Sequence, residues 1–124
     1  MSDIPYVSAY LGSNTLHIFR SAVREIGVPK YVRFRVHDSG KSMIIERYDK
    51  KTQRSFRVPK DLMENNRSMR IHSKSFCYAL AQAQNWDIHK SYRIPGTVLI
   101  PGKIVVFDLT SAEEISNPYA PGND

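Results

Sequence analysis

Arginine and lysine are the residues of this chain with the most chemistry to offer. Arg33 and Arg35 alternate with Val32, Phe34 and Val36. In an extended strand that alternation sends the apolar set to one face and both guanidinium groups to the other. A row of guanidiniums on a two-stranded ribbon can bridge phosphate oxygens, or the paired acceptors of guanine in the major groove. Arg20 and Arg24 flank a short amphipathic segment just ahead of this strand. A second basic run, Lys50, Lys51, Arg54, Arg57 and Lys60, follows, with Arg67, Arg70 and Lys74 beyond it. Such a run supplies phosphate contact without sequence readout, and a solvated loop is its plainer account. Tyr31, Tyr48 and Phe56 are interleaved with these charges and could stack on bases, although no aromatic RNA-recognition signature accompanies them.

Other chemistries find less support. Ser-Gly-Lys-Ser at residues 39–42 looks like the end of a P-loop, but that motif requires glycine five residues before Gly40, where Arg35 stands. His17, His37, His72 and His89 never occur at metal-ligand spacing with a second ligand, and a chain with one cysteine is a poor zinc binder. Ser73, Ser75 and Cys77 lie in no nucleophile motif, and Cys77 is read as core. Glu46 and Asp108 end two similar apolar runs and are read as matched strand caps rather than a catalytic pair. No enzymatic activity, metal or cofactor is expected.

The 124 residues suit a single domain. The longest apolar runs, such as residues 104–107, are far too short to span a bilayer. The first residues lack a basic start followed by an apolar stretch, and Cys77 alone cannot form an internal disulfide, so a cytoplasmic protein is expected. The formal charge of +6 is unevenly distributed: fifteen basic and six acidic residues fall within 15–75, against three and five from 76 onward. A segregated basic surface attracts polyanions, because neutralised phosphates release condensed counterions.

These residues must be positioned by a small set of elements. After an arm of roughly a dozen residues, 15–19 read as a strand. Phe19, Val23 and Ile26 then share one helical face, which Gly27 and Pro29 terminate. Residues 31–48 read as a hairpin turning through His-Asp-Ser-Gly. A basic connector, 50–67, contains only a short strand candidate at 55–59. A strand through Met69 and Ile71 follows, then Ser73 as N-cap of a helix with Phe76, Leu80 and Ala83 on one face, and strand runs broken by Pro-Gly at 95–96 and 101–102. Residues 117–124 have the composition of a disordered tail.

The order strand, helix, strand, strand thus occurs twice, which points to an internal repeat. Ile18 matches Ile71, Val32-Arg33-Phe34 matches Tyr92-Arg93-Ile94, and Gly40-Lys41 matches Gly102-Lys103. A strand, a two-turn helix closed by Ile26-Gly27-Val28, then Val32-Arg33-Phe34 and a Gly40-tipped return strand through Met43 to Ile45 resembles the SpoVT/AbrB-like swapped-hairpin family. The second copy resembles it more weakly. "IFRS" and "VPKY" replace the Ile-Pro and acidic corner usual in that family. Its members carry one such unit and dimerise or, in the MraZ-like arrangement, carry two in one chain. The resemblance implies DNA contact through arginines near the helix and first strands, here Arg20, Arg24, Arg33 and Arg35.

The expected fold is therefore α+β, a β-rich swapped-hairpin barrel of two β-α-β-β repeats within residues 1–124. The repeats span 15–49 and 68–110, joined by the connector 50–67 and followed by a tail, 111–124. The expected function is DNA-binding transcriptional regulation. Arg20, Arg24, Arg33, Arg35, Lys50, Lys51, Arg54 and Arg57 contact duplex DNA, and RNA is a further candidate ligand. The alternative is a non-enzymatic interaction module of the same fold, working through a protein partner or homodimer and binding no nucleic acid.

Overall fold

Alternating apolar and polar residues build most of this chain into strands. The computed structural model describes residues 4–64 and 69–116. The elements are β1 (Tyr6–Tyr10), β2 (Thr15–Ile18), α1 (Arg20–Glu25), β3 (Tyr31–Val36), β4 (Ser42–Tyr48), β5 (Ser55–Arg57), β6 (Met69–His72), α2 (Lys74–Gln84), β7 (Ser91–Ile100), β8 (Ile104–Asp108) and β9 (Glu113–Ile115), with 3-10 turns at Leu11–Ser13 and Leu109–Ser111. The strands form one antiparallel sheet in the order β5-β3-β4-β8-β7-β1-β2-β6, with β9 also paired to β7. The sheet curls into a nearly closed, β-rich α+β barrel. No helix among the described residues is long and apolar enough to cross a membrane.

The ladders are reciprocal. Between β4 and β8, Ile44 faces Val106, Met43 faces Phe107 and Ile45 faces Val105. Met43 and Val105 stand equally far after Gly40 and Gly102, as do Ile45 and Phe107, so matched residues exchange partners across the Ile44–Val106 pair. Between β2 and β6, His17 faces Arg70, Leu16 faces Ile71 and Ile18 faces Met69. Outward from β4 and β8 come β3 and β7, then β5 and β1. One expected equivalence is displaced: Phe34 pairs with Ile45 while Gly96 pairs with Phe107, so the hairpin register matches Phe34 to Gly96 rather than to Ile94.

Each hairpin tip docks on the helix of the other half. The Gly102 amide donates to the Glu25 carbonyl (2.9 Å) at the end of α1, where Gly27 takes a left-handed conformation (φ 80°) that stops the helix. At the other tip, Gln84 Nε2 near the end of α2 donates to the Gly40 carbonyl (2.6 Å). The inward faces of the strands meet α1 through Ala22, Val23 and Ile26, and α2 through Cys77, Leu80 and Ala81, all buried. The buried face of α2 is thus rotated from the expected Phe76-Leu80-Ala83 stripe, of which only Leu80 is fully enclosed.

Four segments differ from the sequence reading. The N-terminal arm contains β1, a strand buried on both faces between β7 and β2. Its signal was present: Tyr-Val-Ser-Ala-Tyr has strand composition, and Gly12, Ser13 and the left-handed Asn14 (φ 54°) supply a tight connection to β2. The Pro95-Gly96 pair does not break β7, which runs ten residues and pairs with β1 and β9 along its first half and β8 along its second. In the connector the strand candidate at 55–59 is present as β5, paired with β3, but Val58 and Leu62 also enter the core, which a solvated loop would not do. Within the expected tail, residues 113–115 form β9; Arg67 and residues 117–124 lie outside the described residues.

Gly96 shows how tightly the β7–β8 ladder packs. A Cβ there would meet the fully buried Phe107 ring at 2.7 and 2.8 Å. Overpacking of this kind typically costs about 1–3 kcal/mol. Gly96→Ala is expected to lower stability by that amount, read as an earlier urea midpoint at unchanged m-value; a midpoint equal to that of the parent protein contradicts the packing account.

Candidate nucleic-acid interface

β3 and β5 carry the basic face. Val32 and Phe34 are buried, which turns Arg33 and Arg35 to the outer side of β3 as their alternation requires. They are not free of partners. Glu46 faces Arg33 across the β3–β4 ladder and accepts from Arg33 Nε (2.7 Å) and Nη2 (2.5 Å), while Arg35 Nε stands 3.7 Å from the same oxygen. The Arg33 guanidinium also lies 5.0 Å from the centroid of the Tyr48 ring. One carboxylate therefore serves two arginines, leaving Arg35 the more loosely held and, at 55 % side-chain exposure, the more accessible. Glu46 is an ion-pair partner in mid-ladder rather than a strand cap. Asp108 is a cap, accepting from the Thr110 amide (3.0 Å) and the Thr110 and Ser111 hydroxyls; these bonds hold its carboxyl below the usual range.

Two open clefts lie along this face. One, of about 470 Å³, is lined by Arg33, Arg35 and Arg54 around Phe34, Phe56 and Phe76, with Gln53, Ser73 and Ser75 completing it. Phe34 is the hub of its floor, with ring centroids 5.3 Å from Phe56 and 5.9 Å from Phe76. Ser73 caps α2, its hydroxyl accepting from the Phe76 amide (3.3 Å). The second cleft, also about 470 Å³, is lined by Lys30, Arg57 and Lys60 with Val28, Pro29, Tyr31, Val58 and Pro59. No carboxylate is among the described residues lining either cleft.

The structure thus gathers Arg33, Arg35, Arg54 and Arg57 on the β3–β5 side. Lys50 and Lys51 are exposed in the turn between β4 and β5. Arg20 and Arg24 are elsewhere: α1 packs beside β1 and β8, away from the β3–β5 face. Lys30, which sequence reasoning passed over, is brought in because Val58 donates its amide to the Lys30 carbonyl (2.9 Å) and draws the two segments together. The aromatics sort differently from the expectation of base stacking: Tyr48 carries Arg33, and Phe56 packs on Phe34. Trp86 stacks on Tyr92 (4.4 Å, 13°) at the α2–β7 corner, half-buried.

The histidines do not assemble a metal site, and no cluster of three His, Cys, Asp or Glu suited to a metal occurs among the described residues. Cys77 is buried and its thiol is pushed up to about 11, which leaves almost no thiolate at neutral pH. His17 and His72 are not matched by the register, since His17 faces Arg70 and His72 faces Thr15, whose hydroxyl lies 3.1 Å from His72 Nδ1. Comparison with known proteins returned no matching family model, no matching curated protein and no matching solved structure.

His17 is the titrating group with a clear consequence for folding. Burial, then the nearby Arg70 and Arg93, lower its pKa below the ordinary 6.5. The unfolded chain therefore takes up a proton near pH 6.5 that the folded chain accepts only at lower pH. In that window the unfolded state binds more protons, so stability falls as pH drops through it. Denaturation curves at pH 7.5 and 5.5 are expected to show this acid loss, and His17→Gln to remove part of it; an unchanged difference in the variant would assign the loss to other groups.

Proposed function

We propose that this chain is a DNA-binding, regulator-like protein acting in the cytoplasm, and that the β3–β5 face holds the duplex. The observation that carries this reading is the pair of clefts lined by Arg33, Arg35, Arg54 and by Lys30, Arg57, Lys60 without a carboxylate among their described lining residues. Lys30, Lys50, Lys51, Arg54, Arg57 and Lys60 supply phosphate contacts that position the protein. Arg35, less engaged by Glu46 than Arg33, supplies base readout, while Arg33 is fixed as a positioning group by Glu46 and Tyr48. Arg20 and Arg24, on the α1 side, make any contact with a separate stretch of backbone. The action is noncovalent and requires no cofactor.

The finer fold assignment is two interlocked swapped-hairpin repeats of the SpoVT/AbrB-like kind. The reciprocal β4–β8 and β2–β6 registers support it, as does the docking of each Gly-tipped hairpin on the opposite helix. On this reading β1 and β5 occupy matched places beside β7 and β3.

A second reading, a protein-interaction module or homodimer, is favoured by one feature. Leu99 (63 % exposed) and Ile100 (43 %) stand out at the β7–β8 tip, which is tied to α1 next to the exposed Val28. A cluster of this kind suits a protein partner better than a phosphate backbone.

Fluorescence anisotropy of duplex DNA titrated with the protein at 50 and 200 mM salt separates the two. Six or more phosphate contacts predict about a thousandfold loss of affinity over that range. Arg35→Ala/Arg54→Ala is expected to weaken binding, and Glu46→Gln, which releases two guanidiniums, to strengthen it. Absence of binding at 50 mM salt retires the DNA reading and leaves the interaction module.

A further inference from the structure

A second cationic assembly lies outside the β3–β5 face, on the outer side of β6, β2, β1 and β7. Arg70 faces His17, His17 faces Ser8 and Ser8 faces Arg93 across three successive ladders. Residues directly opposite in a sheet share a face, so these four form one row. Strands about 4.8 Å apart place Arg70 and Arg93 about 14 Å apart at their backbones, on either side of His17 and Ser8, a span that two long side chains can close around an anion. The Arg93 guanidinium lies back over the rings of Phe19 (5.5 Å) and Tyr6 (5.9 Å), and the His17 ring packs 5.1 Å from Phe19.

Arg93 is the cation of this row whose charge is not balanced by an ion pair among the described residues. Glu113 of β9 faces Arg93 in register, yet Arg93 has no carboxylate within ion-pair distance among the described residues. The other groups near the row are Tyr6 and Tyr10 on β1, His72 on β6, and the Lys90–Glu114 pair beside β9, which is satisfied internally (3.2 Å). The short Ser8 between His17 and Arg93 is fully buried, and its hydroxyl has no hydrogen-bond partner among the described residues. A buried donor is rarely left unmatched unless another group completes it. Beside the row, Tyr10, Ser13, Thr15, Arg70 and His72 line a shallow cleft of about 210 Å³.

We propose that the Arg70–His17–Ser8–Arg93 row binds a phosphate group, with the two guanidiniums on its oxygens, His17 beneath it and the Ser8 hydroxyl as a further donor. Guanidinium pairs suit phosphate oxygens by geometry as well as charge. A bound anion offsets the Arg70 and Arg93 repulsion that adds to burial in disfavouring the protonated His17 ring, so binding is coupled to proton uptake there. The site is separate from the β3–β5 face and stands whether or not that face binds DNA. Phosphate here comes either from a small phosphorylated molecule or from a nucleic-acid backbone.

The test is the titration midpoint of the His17 ring proton, followed by NMR in the full chain and assigned with His17→Gln. It is measured in chloride alone, with inorganic phosphate, and with a duplex lacking terminal phosphates. The duplex arm is repeated in Arg35→Ala/Arg54→Ala/Arg57→Ala, which removes cations of the first face. A saturable upward move of about one pH unit, a tenfold preference for the protonated ring, is expected in at least one arm. Movement with phosphate identifies a small phosphorylated ligand, and movement with duplex alone identifies a backbone phosphate. Arg93→Gln is expected to abolish the response, and Arg93→Lys, which keeps the charge, to restore part of it. No saturable movement in either arm, or movement equal in Arg93→Gln with unchanged circular dichroism, overturns the site.

Discussion

Neither half of this chain can bury its apolar residues without the other, and the β4–β8 ladder is where that constraint is met. Met43, Ile45, Val105 and Phe107 present their side chains to one interior, and each is enclosed to within 1 % of full burial. About 25 cal/mol per Å² of apolar surface removed from water rewards this arrangement, which a unit of some thirty-five residues could not achieve alone. Once β4 and β8 are paired, β3 and β7 must lie on their outer sides. The Gly40 and Gly102 tips then fall on the ends of α2 and α1. The rest of the barrel is a consequence of that register.

The reciprocity is incomplete where the two halves meet different demands. β1 completes full ladders with β7 and β2, whereas β5 is three residues long and, among the described residues, pairs with β3 alone. Among the described strands β5 and β6 are the two ends of the sheet order, and Leu62 and Val58 from the joining segment add to the core. Unpaired strand edges are a hazard that proteins blunt with short strands and charge. Here Arg54 and Arg57 lie at or beside the short β5 edge, so the same residues that protect it also make its flanking clefts cationic.

Electrostatic restraint shapes both basic regions. Glu46 holds Arg33 and partly Arg35, fixing guanidiniums that would otherwise repel one another across a single strand face. On the β6-β2-β1-β7 side, His17 and Ser8 stand between Arg70 and Arg93 in the row, and the Tyr6 and Phe19 faces carry the Arg93 guanidinium. The first device pairs guanidinium charge with a carboxylate, and the second rests the Arg93 guanidinium on aromatic rings. They would respond differently to an approaching anion.

Local sequence determined the elements themselves. Alternation at residues 31–48, the Gly27 stop after α1, the Ser73 cap and the repeated Gly-Lys tips are short-range signals, and the strands and helices they specify are present. The same alternation placed Arg33 and Arg35 together on the outer face. Only the tertiary structure decided that β1 is a central strand, that Pro95 and Gly96 lie within β7, and that Arg20 and Arg24 stand apart from the β3–β5 cations. It alone joined Arg70, His17, Ser8 and Arg93, which come from four separated segments. The reason is physical: periodicity reports which way a side chain faces within its own strand, whereas neighbours across a sheet depend on pairing, which is set by burial summed over the whole barrel.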